Sequence, residues 1–157
     1  MVHEPHGMSF EALLAPQSTC ALIRIGMAIR IVRLGSSRAP DEGLRIGTVR
    51  RPPRGVRKED YSAKNIYDVW FPNLAPSEEL LKKNFPISDD ASWRTFKRRY
   101  LAEMKASEVK RDLDLLAALS HQTNFSIGCY CEDEAKCHRS ILRELLQALN
   151  AEIIDRR

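Results

Sequence analysis

Residues 125–140 read Phe-Ser-Ile-Gly-Cys-Tyr-Cys-Glu-Asp-Glu-Ala-Lys-Cys-His-Arg-Ser. Phe125, Ile127, Cys129 and Cys131 alternate with Ser126, Gly128 and Tyr130, the period of two that marks a β-strand. Beyond the turn, Ile141, Leu142, Leu145, Leu146 and Leu149 recur at helical spacing, which places Cys137 to Ser140 at or near a helix N-terminus. A strand thus runs into a helix through a turn that holds three of the chain's four cysteines. The turn also sets His138 and Arg139 beside unpaired backbone N–H groups and the positive end of a helix dipole.

The rest of the chain is read as the support for that turn. Ala28 to Leu34 is short, rich in β-branched residues and closed by Gly35-Ser-Ser, so it reads as a strand entering a loop. Leu44 to Val49 reads as a second strand and Ile66 to Phe71 as a third, ended by Pro72. Between them, Arg50-Arg-Pro-Pro-Arg-Gly-Val-Arg-Lys58 is a basic loop, because consecutive prolines remove N–H donors and force extended neighbours. Pro76, Ser77, Glu78 and Glu79 open a first helix, and Pro86 limits it. Asp89 or Asp90 caps a second, with Trp93, Phe96, Tyr100 and Met104 on one face. Ser107 is expected to cap a third, which carries Val109, Leu113, Leu116 and Leu119.

Strands first, helices in the middle and a late strand predict a small layered α/β domain, because a strand added after helices joins the sheet by a crossover. The sheet is expected to be mixed, partly parallel and flanked by helices. In such sheets ligands gather at the carboxyl ends of the strands, where loops meet helix N-termini. The Cys131 to Ser140 turn lies at such an end.

A chain of 157 residues with 43% hydrophobic content supports one core, read here as a single domain over residues 27–157. Residues 1–26 hold Pro5, Gly7 and Pro16 and only a weak apolar patch, and read as a disordered or extraneous extension with Met27 as the natural start. Arg24, Arg30 and Arg33 break the most apolar stretch, so no membrane span is expected. His3, Glu4 and His6 do not make a secretory signal. The Cys-x-Cys-x5-Cys-His cluster with distant Cys20 suits a reducing compartment better than a disulfide framework, and a cytoplasmic location is expected. A net charge of +4 permits contact with polyanions without establishing it.

Three pieces of the chain together resemble the YeaO-like family of bacterial and archaeal domains of unknown function. They are Arg50 to Glu59, Leu74-Ala-Pro-Ser-Glu-Glu-Leu80 with Phe96-Lys-Arg-Arg-Tyr100, and Cys129 through Cys137-His-Arg-Ser140. The likeness runs from about Ile29 to Leu149 and implies a fold, an intracellular α/β domain, rather than a reaction. In YeaO-like proteins the first piece usually reads Asp-Arg-x-Trp-Pro-Arg-Gly. Here Arg50, Pro53, Arg54 and Gly55 match, while Val49 and Pro52 replace the acid and the aromatic.

Several chemistries fit the turn. N–H groups at the helix start, with His138, Arg139, Ser140 and the loop's Arg50 and Arg54, would hold a phosphate, a nucleotide or another small anion. Cys137 would then be a reactive thiol in an electropositive setting, with His138 as its proton acceptor or local orienter. Cys137 and Arg143 have the literal Cys-x5-Arg spacing of cysteine phosphatases, but Ser140-Ile-Leu is helical and apolar and lacks the glycines of a loop that wraps phosphate. Alternatively, Cys129, Cys131, Cys137 and His138 form a Cys3His set for zinc. A third possibility is that the basic loop and Lys97-Arg98-Arg99 track a nucleic-acid backbone, although no reading helix or RNA-stacking motif is present. Against all three stands a purely structural role, with the cysteines as core residues and Arg139 paired to Glu132, Asp133 or Glu134.

Overall fold

The computed structural model describes residues 26–154. Apart from Gly26, the expected N-terminal extension lies outside the described residues, as do positions 155–157 of the expected domain.

Strands β1 (Ile29–Arg33), β2 (Leu44–Gly47) and β3 (Val69–Trp70) come first, followed by helices α1 (Glu78–Asn84), α2 (Asp90–Glu103) and α3 (Ser107–Leu119). The chain closes with β4 (Phe125–Cys129), α4 (His138–Ala148) and β5 (Ile153–Ile154). The sheet order is β3-β2-β4-β1-β5. The expected layered α/β domain forms, and every described strand pairing is parallel rather than only some.

The late strand is central. Ile127 of β4 stands opposite Ile31 on one side and Ile46 on the other, and all residues of β4 are buried. The β4 side chains on one face, Phe125 and Ile127, join Ile29 and Ile31 in a core completed by Phe96, Leu113, Ile141 and Leu146 from the helices. Each such side chain contributes roughly 1.5–3 kcal/mol by leaving water. No helix among the described residues is long and apolar enough to cross a membrane.

Helix starts follow the sequence closely. The Ser77 hydroxyl accepts from the Leu80 N–H at 3.1 Å, and Asp89 with Ser92 forms a capping box for α2. For α3 the N-cap is Ala106 without a side-chain bond, and Ser107 is already helical rather than the expected cap. The third strand shrinks to Val69–Trp70, while Ile66 and Tyr67 turn into a second apolar cluster with Leu34, Val49, Cys129 and Cys137. The two-residue β5, which pairs with β1, has no counterpart in the sequence reading.

Helices cover one face of the sheet, and loops cover the other. A Cβ at Gly47 would overlap the Tyr67 ring, and one at Gly128 would press on the Leu34 side chain, so the absence of side chains there lets the loop layer lie close. Residues 34–43 carry the chain from β1 past β4 to β2. Glu42, 2% exposed, anchors that crossing by accepting from Arg45 Nε at 2.6 Å, Arg45 NH2 at 2.9 Å and Ser126 Oγ at 2.7 Å. Arg45 NH1 donates to the carbonyls of Ser36 and Asn65, which ties the neighbouring loop to the same point.

Candidate functional site

The carboxyl ends of β2 and β4 lie side by side. Thr48, just past β2, donates its N–H to the Gly128 carbonyl at 2.9 Å and its hydroxyl to the same oxygen at 3.0 Å. From these ends the chain departs in opposite directions, β2 toward β3 at one edge and β4 toward β5 at the other. Such a divergence leaves a crevice in open α/β sheets. The N-terminus of α4 sits at this place, with Cys137 as its N-cap and no side-chain capping bond.

His138 is buried and its ring is fixed. Nε2 lies 2.8 Å from the Thr48 carbonyl oxygen. A carbonyl can only accept, so Nε2 carries the proton and Nδ1 presents its lone pair. Nδ1 is 3.7 Å from Cys137 Sγ. The Tyr100 ring meets the imidazole edge-on at 5.6 Å and holds its plane.

The three cysteine sulfurs converge. Sγ of Cys129 and Sγ of Cys131 are 3.7 Å apart, and the three Sγ atoms all lie within 4.8 Å of one another. Donation from the Cys129 and Cys131 thiols holds the Cys137 thiol far below its usual range despite burial, and a proton taken up on His138 Nδ1 would add to this. The converse holds for Cys129, whose bonds to Cys131 and Cys137 and whose burial push it up. The bond to Cys129 pulls Cys131 down, but the bond to Cys137 and burial outweigh it, and the thiol is pushed up to about 11. The cluster therefore favours a thiolate on Cys137, at the positive end of α4, over one on Cys129 or Cys131. Cys137 is 1% exposed and Cys131 half-buried, so Cys131 marks the side from which the cluster is reached.

Arg139 is 1% exposed. Nη2 donates to the Cys131 carbonyl at 2.8 Å, while Nε and Nη1 have no partner among the described residues. The acids expected to neutralise it are engaged elsewhere. Glu132 accepts from Arg33, Asp133 from the Ala135 N–H, and Glu134 from Arg143. The expected pairing of Arg139 with one of the three therefore does not form. Two more buried polar atoms lack partners among the described residues, the hydroxyls of Tyr67 and Tyr130. Both tyrosines pack in the cluster that contains Cys129 and Cys137. Burial, with Tyr61 alongside, pushes Tyr67 up to about 12, and burial likewise raises Tyr130, so both phenols keep their protons.

The remaining expected residues are placed as follows. Arg50 donates through Nε to the Pro76 carbonyl and through NH2 to the Ala75 carbonyl. It also lines a cavity of about 420 Å³ with Arg51, Lys82, Leu81 and Tyr130, which brings it beside the site. Arg54 is exposed and forms no hydrogen bond or ion pair among the described residues. The Ser140 hydroxyl donates to the Cys137 carbonyl at 2.9 Å and closes the first helical turn. Cys129, Cys131 and Cys137 form the sulfur set that could hold a metal, and His138 falls outside that set. Thr48, Tyr67 and Tyr130 were not legible as site residues. Only the fold brings Thr48 and Tyr67 to the end of β4, and Tyr130 read merely as the strand's alternate position.

The family model described as DUF488-N3a, the active DUF488-N3 subclade, matches residues 29–150, which span every residue of this site. Among curated proteins, the chain is 27% identical over 118 residues to the uncharacterized protein Rv3073c of Mycobacterium tuberculosis (strain ATCC 25618 / H37Rv). The same identity and length relate it to the uncharacterized protein Mb3100c of Mycobacterium bovis. Each match covers 75% of this chain and 92% of the relative. No solved structure matches the chain at comparable significance.

Proposed function

The chain belongs to the DUF488-N3a family, and on that premise we propose that its β4–α4 turn binds a small anion, such as a phosphate or the phosphate of a nucleotide, and supports thiol-dependent chemistry on it. One observation carries the reading: among the described residues the buried side-chain polar atoms without partners are Arg139 Nε and Nη1, in the turn itself, and the Tyr67 and Tyr130 hydroxyls, in the cluster that holds Cys129 and Cys137. A buried donor left unpaired costs about 1–3 kcal/mol, and a bond to a charged acceptor contributes about 1.5–3 kcal/mol. An oxyanion has the acceptor oxygens to convert that cost into binding.

In this reading Cys137 is the reactive thiol and His138, through Nδ1, its proton acceptor. Arg139 and the free N–H groups at the start of α4 contact the anion, with Arg50, Arg54 and Ser140 as outer contacts. The description of the family subclade as active agrees with an enzymatic role. Reduced, clustered thiols agree with a cytoplasmic setting. The YeaO-like assignment is the finer family reading, resting on Arg50, Pro53, Arg54, Gly55 and the cysteine turn.

A second reading, zinc, is favoured by the sulfur geometry. Tetrahedral thiolates at about 2.3 Å from zinc stand roughly 3.8 Å apart, close to the 3.7 Å between Cys129 and Cys131 Sγ. Cys129, Cys131 and Cys137 would be ligands, and Nδ1 is the only ring nitrogen of His138 left for a fourth bond. Contact with a nucleic-acid backbone is the other non-enzymatic alternative, supported only by exposed cations such as Arg54 and Lys58.

Thiol alkylation against pH, on purified protein of measured metal content and with Cys137 resolved by peptide mass spectrometry, separates these. Labelling of Cys137 well below the roughly 8.5 pKa of a free thiol, slowed by inorganic phosphate, is the expected result. Protection that a chelator releases assigns the cluster to zinc. Slow labelling regardless of phosphate and chelator returns the cysteines to a structural role.

A further inference from the structure

We propose that a second site, on the helical layer and away from the cysteine turn, binds an anionic amphiphile with an apolar body and a carboxylate head, of the fatty-acyl type. Helices α2, α3 and α4 enclose a trough of about 800 Å³ whose floor is made by Leu101, Met104, Leu113, Leu145 and Leu149. That volume falls in the roughly 300–1,000 Å³ range of small-molecule sites, which are likewise apolar with a few polar groups at the mouth. Two small exposed residues, Ala102 on α2 and Ala148 on α4, leave the trough open where larger side chains would fill it.

Charge selects the occupant. Five cations line the trough against one acid, Asp114. Lys97 is neutralised by Glu144 at 2.7 Å, but Arg94, Arg98, Lys105 and Lys110 form no ion pair among the described residues. Some surface cations elsewhere are matched, as Arg30 is with Asp41 and Arg38 with Asp68, and others, such as Arg54 and Lys64, are not; what sets these four apart is that they line one apolar floor together. An apolar floor under an unmatched cationic rim fits a molecule that buries a chain and leaves a negative head at the edge. It disfavours a second copy of this chain, whose own net charge is +4.

The test uses the full chain and two probes of equal chain length kept below their micellar concentrations, dodecanoate and dodecyltrimethylammonium, followed by calorimetry. Dodecanoate is expected to bind at least tenfold tighter than the cationic analogue. Ala148→Phe, which fills the trough from an exposed position, is expected to weaken dodecanoate at least tenfold, and the doubly substituted R98E/K105E about tenfold. Equal affinity for the two head groups would overturn the proposal. So would dodecanoate binding that neither variant changes, or a dimer in sedimentation that Ala148→Phe dissociates, since a second copy would then be the occupant.

Discussion

Ser126 Oγ donates to Glu42 Oε1 at 2.7 Å from the central strand, and the same carboxylate takes two donors from Arg45. The β1–β2 crossing is thereby locked to β4 through a buried ion pair whose side chains are 0% and 2% exposed. Replacing Glu42 by Gln would leave Arg45 charged and short of its counter-ion in the same space. Removing one partner of a buried pair costs about 3–5 kcal/mol. Urea denaturation of Glu42→Gln should show a loss of that order with an unchanged slope.

Asp68 accepts from both Arg38 terminal nitrogens, from the Arg45 N–H and from the Ser62 hydroxyl. Burial would raise its carboxyl, but these donors, Arg38 foremost, hold it at about 2, against an ordinary 3.8. The folded pKa is depressed, so the stabilisation is complete above pH 3.8 and is lost as pH falls toward 2. Its size is about 2 kcal/mol. In acid titrations of stability, Asp68→Asn should be less stable than the parent at pH 7, and the gap should close between pH 4 and 2.

Arg139→Met removes the two unpaired buried nitrogens while keeping a long apolar stem. Without added anion the variant should unfold at the same temperature as the parent or higher, because a cost of the ligand-free state is gone. Millimolar phosphate should raise the unfolding temperature of the parent and leave that of the variant unmoved. A parent insensitive to phosphate and sulfate alike would count against the anion site.

His138→Gln removes the Nδ1 acceptor that faces Cys137. The Cys137 thiol should titrate at higher pH than in the parent, which moves the midpoint of its alkylation-against-pH profile upward. Circular dichroism on the same sample checks that the α4 start is retained.

Gly47→Ala tests the close approach of the loop layer. The new methyl would meet the Tyr67 ring, and overpacking of this type costs about 1–3 kcal/mol. The variant should lose stability by that amount, and Tyr67→Leu in the same background should restore part of it.

The strands at Ile29–Arg33, Leu44–Gly47 and Phe125–Cys129 and all four helices were legible because their periodicities reflect one core face each. The site turn was legible from residue types alone. Its interior was not. The third strand was overextended because Ile66 and Tyr67 are apolar for the sake of the loop-side cluster, a pattern that mimics a strand. The two residues of β5 are too short to carry a period. Three acids within seven residues left a neutralised Arg139 open as an alternative, and sequence proximity does not reveal that Arg33, the Ala135 N–H and Arg143 reach those acids first. Arg50 looked like a free cation, and only the fold shows it holding the carbonyls that precede α1.

The sheet has helices on one side and loops on the other, and the two sides tolerate change differently. Changes on the helical side disturb the interlocked core that Phe96, Ile127 and Leu142 share. The loop side touches the sheet at a few anchors, Glu42, Tyr67 and Leu34, and between them residues 50–64 run largely exposed. Most side chains there, Arg50 aside, can be exchanged without opening the core. A change in this loop therefore alters what stands beside the cysteine turn while leaving intact the packed scaffold that presents it.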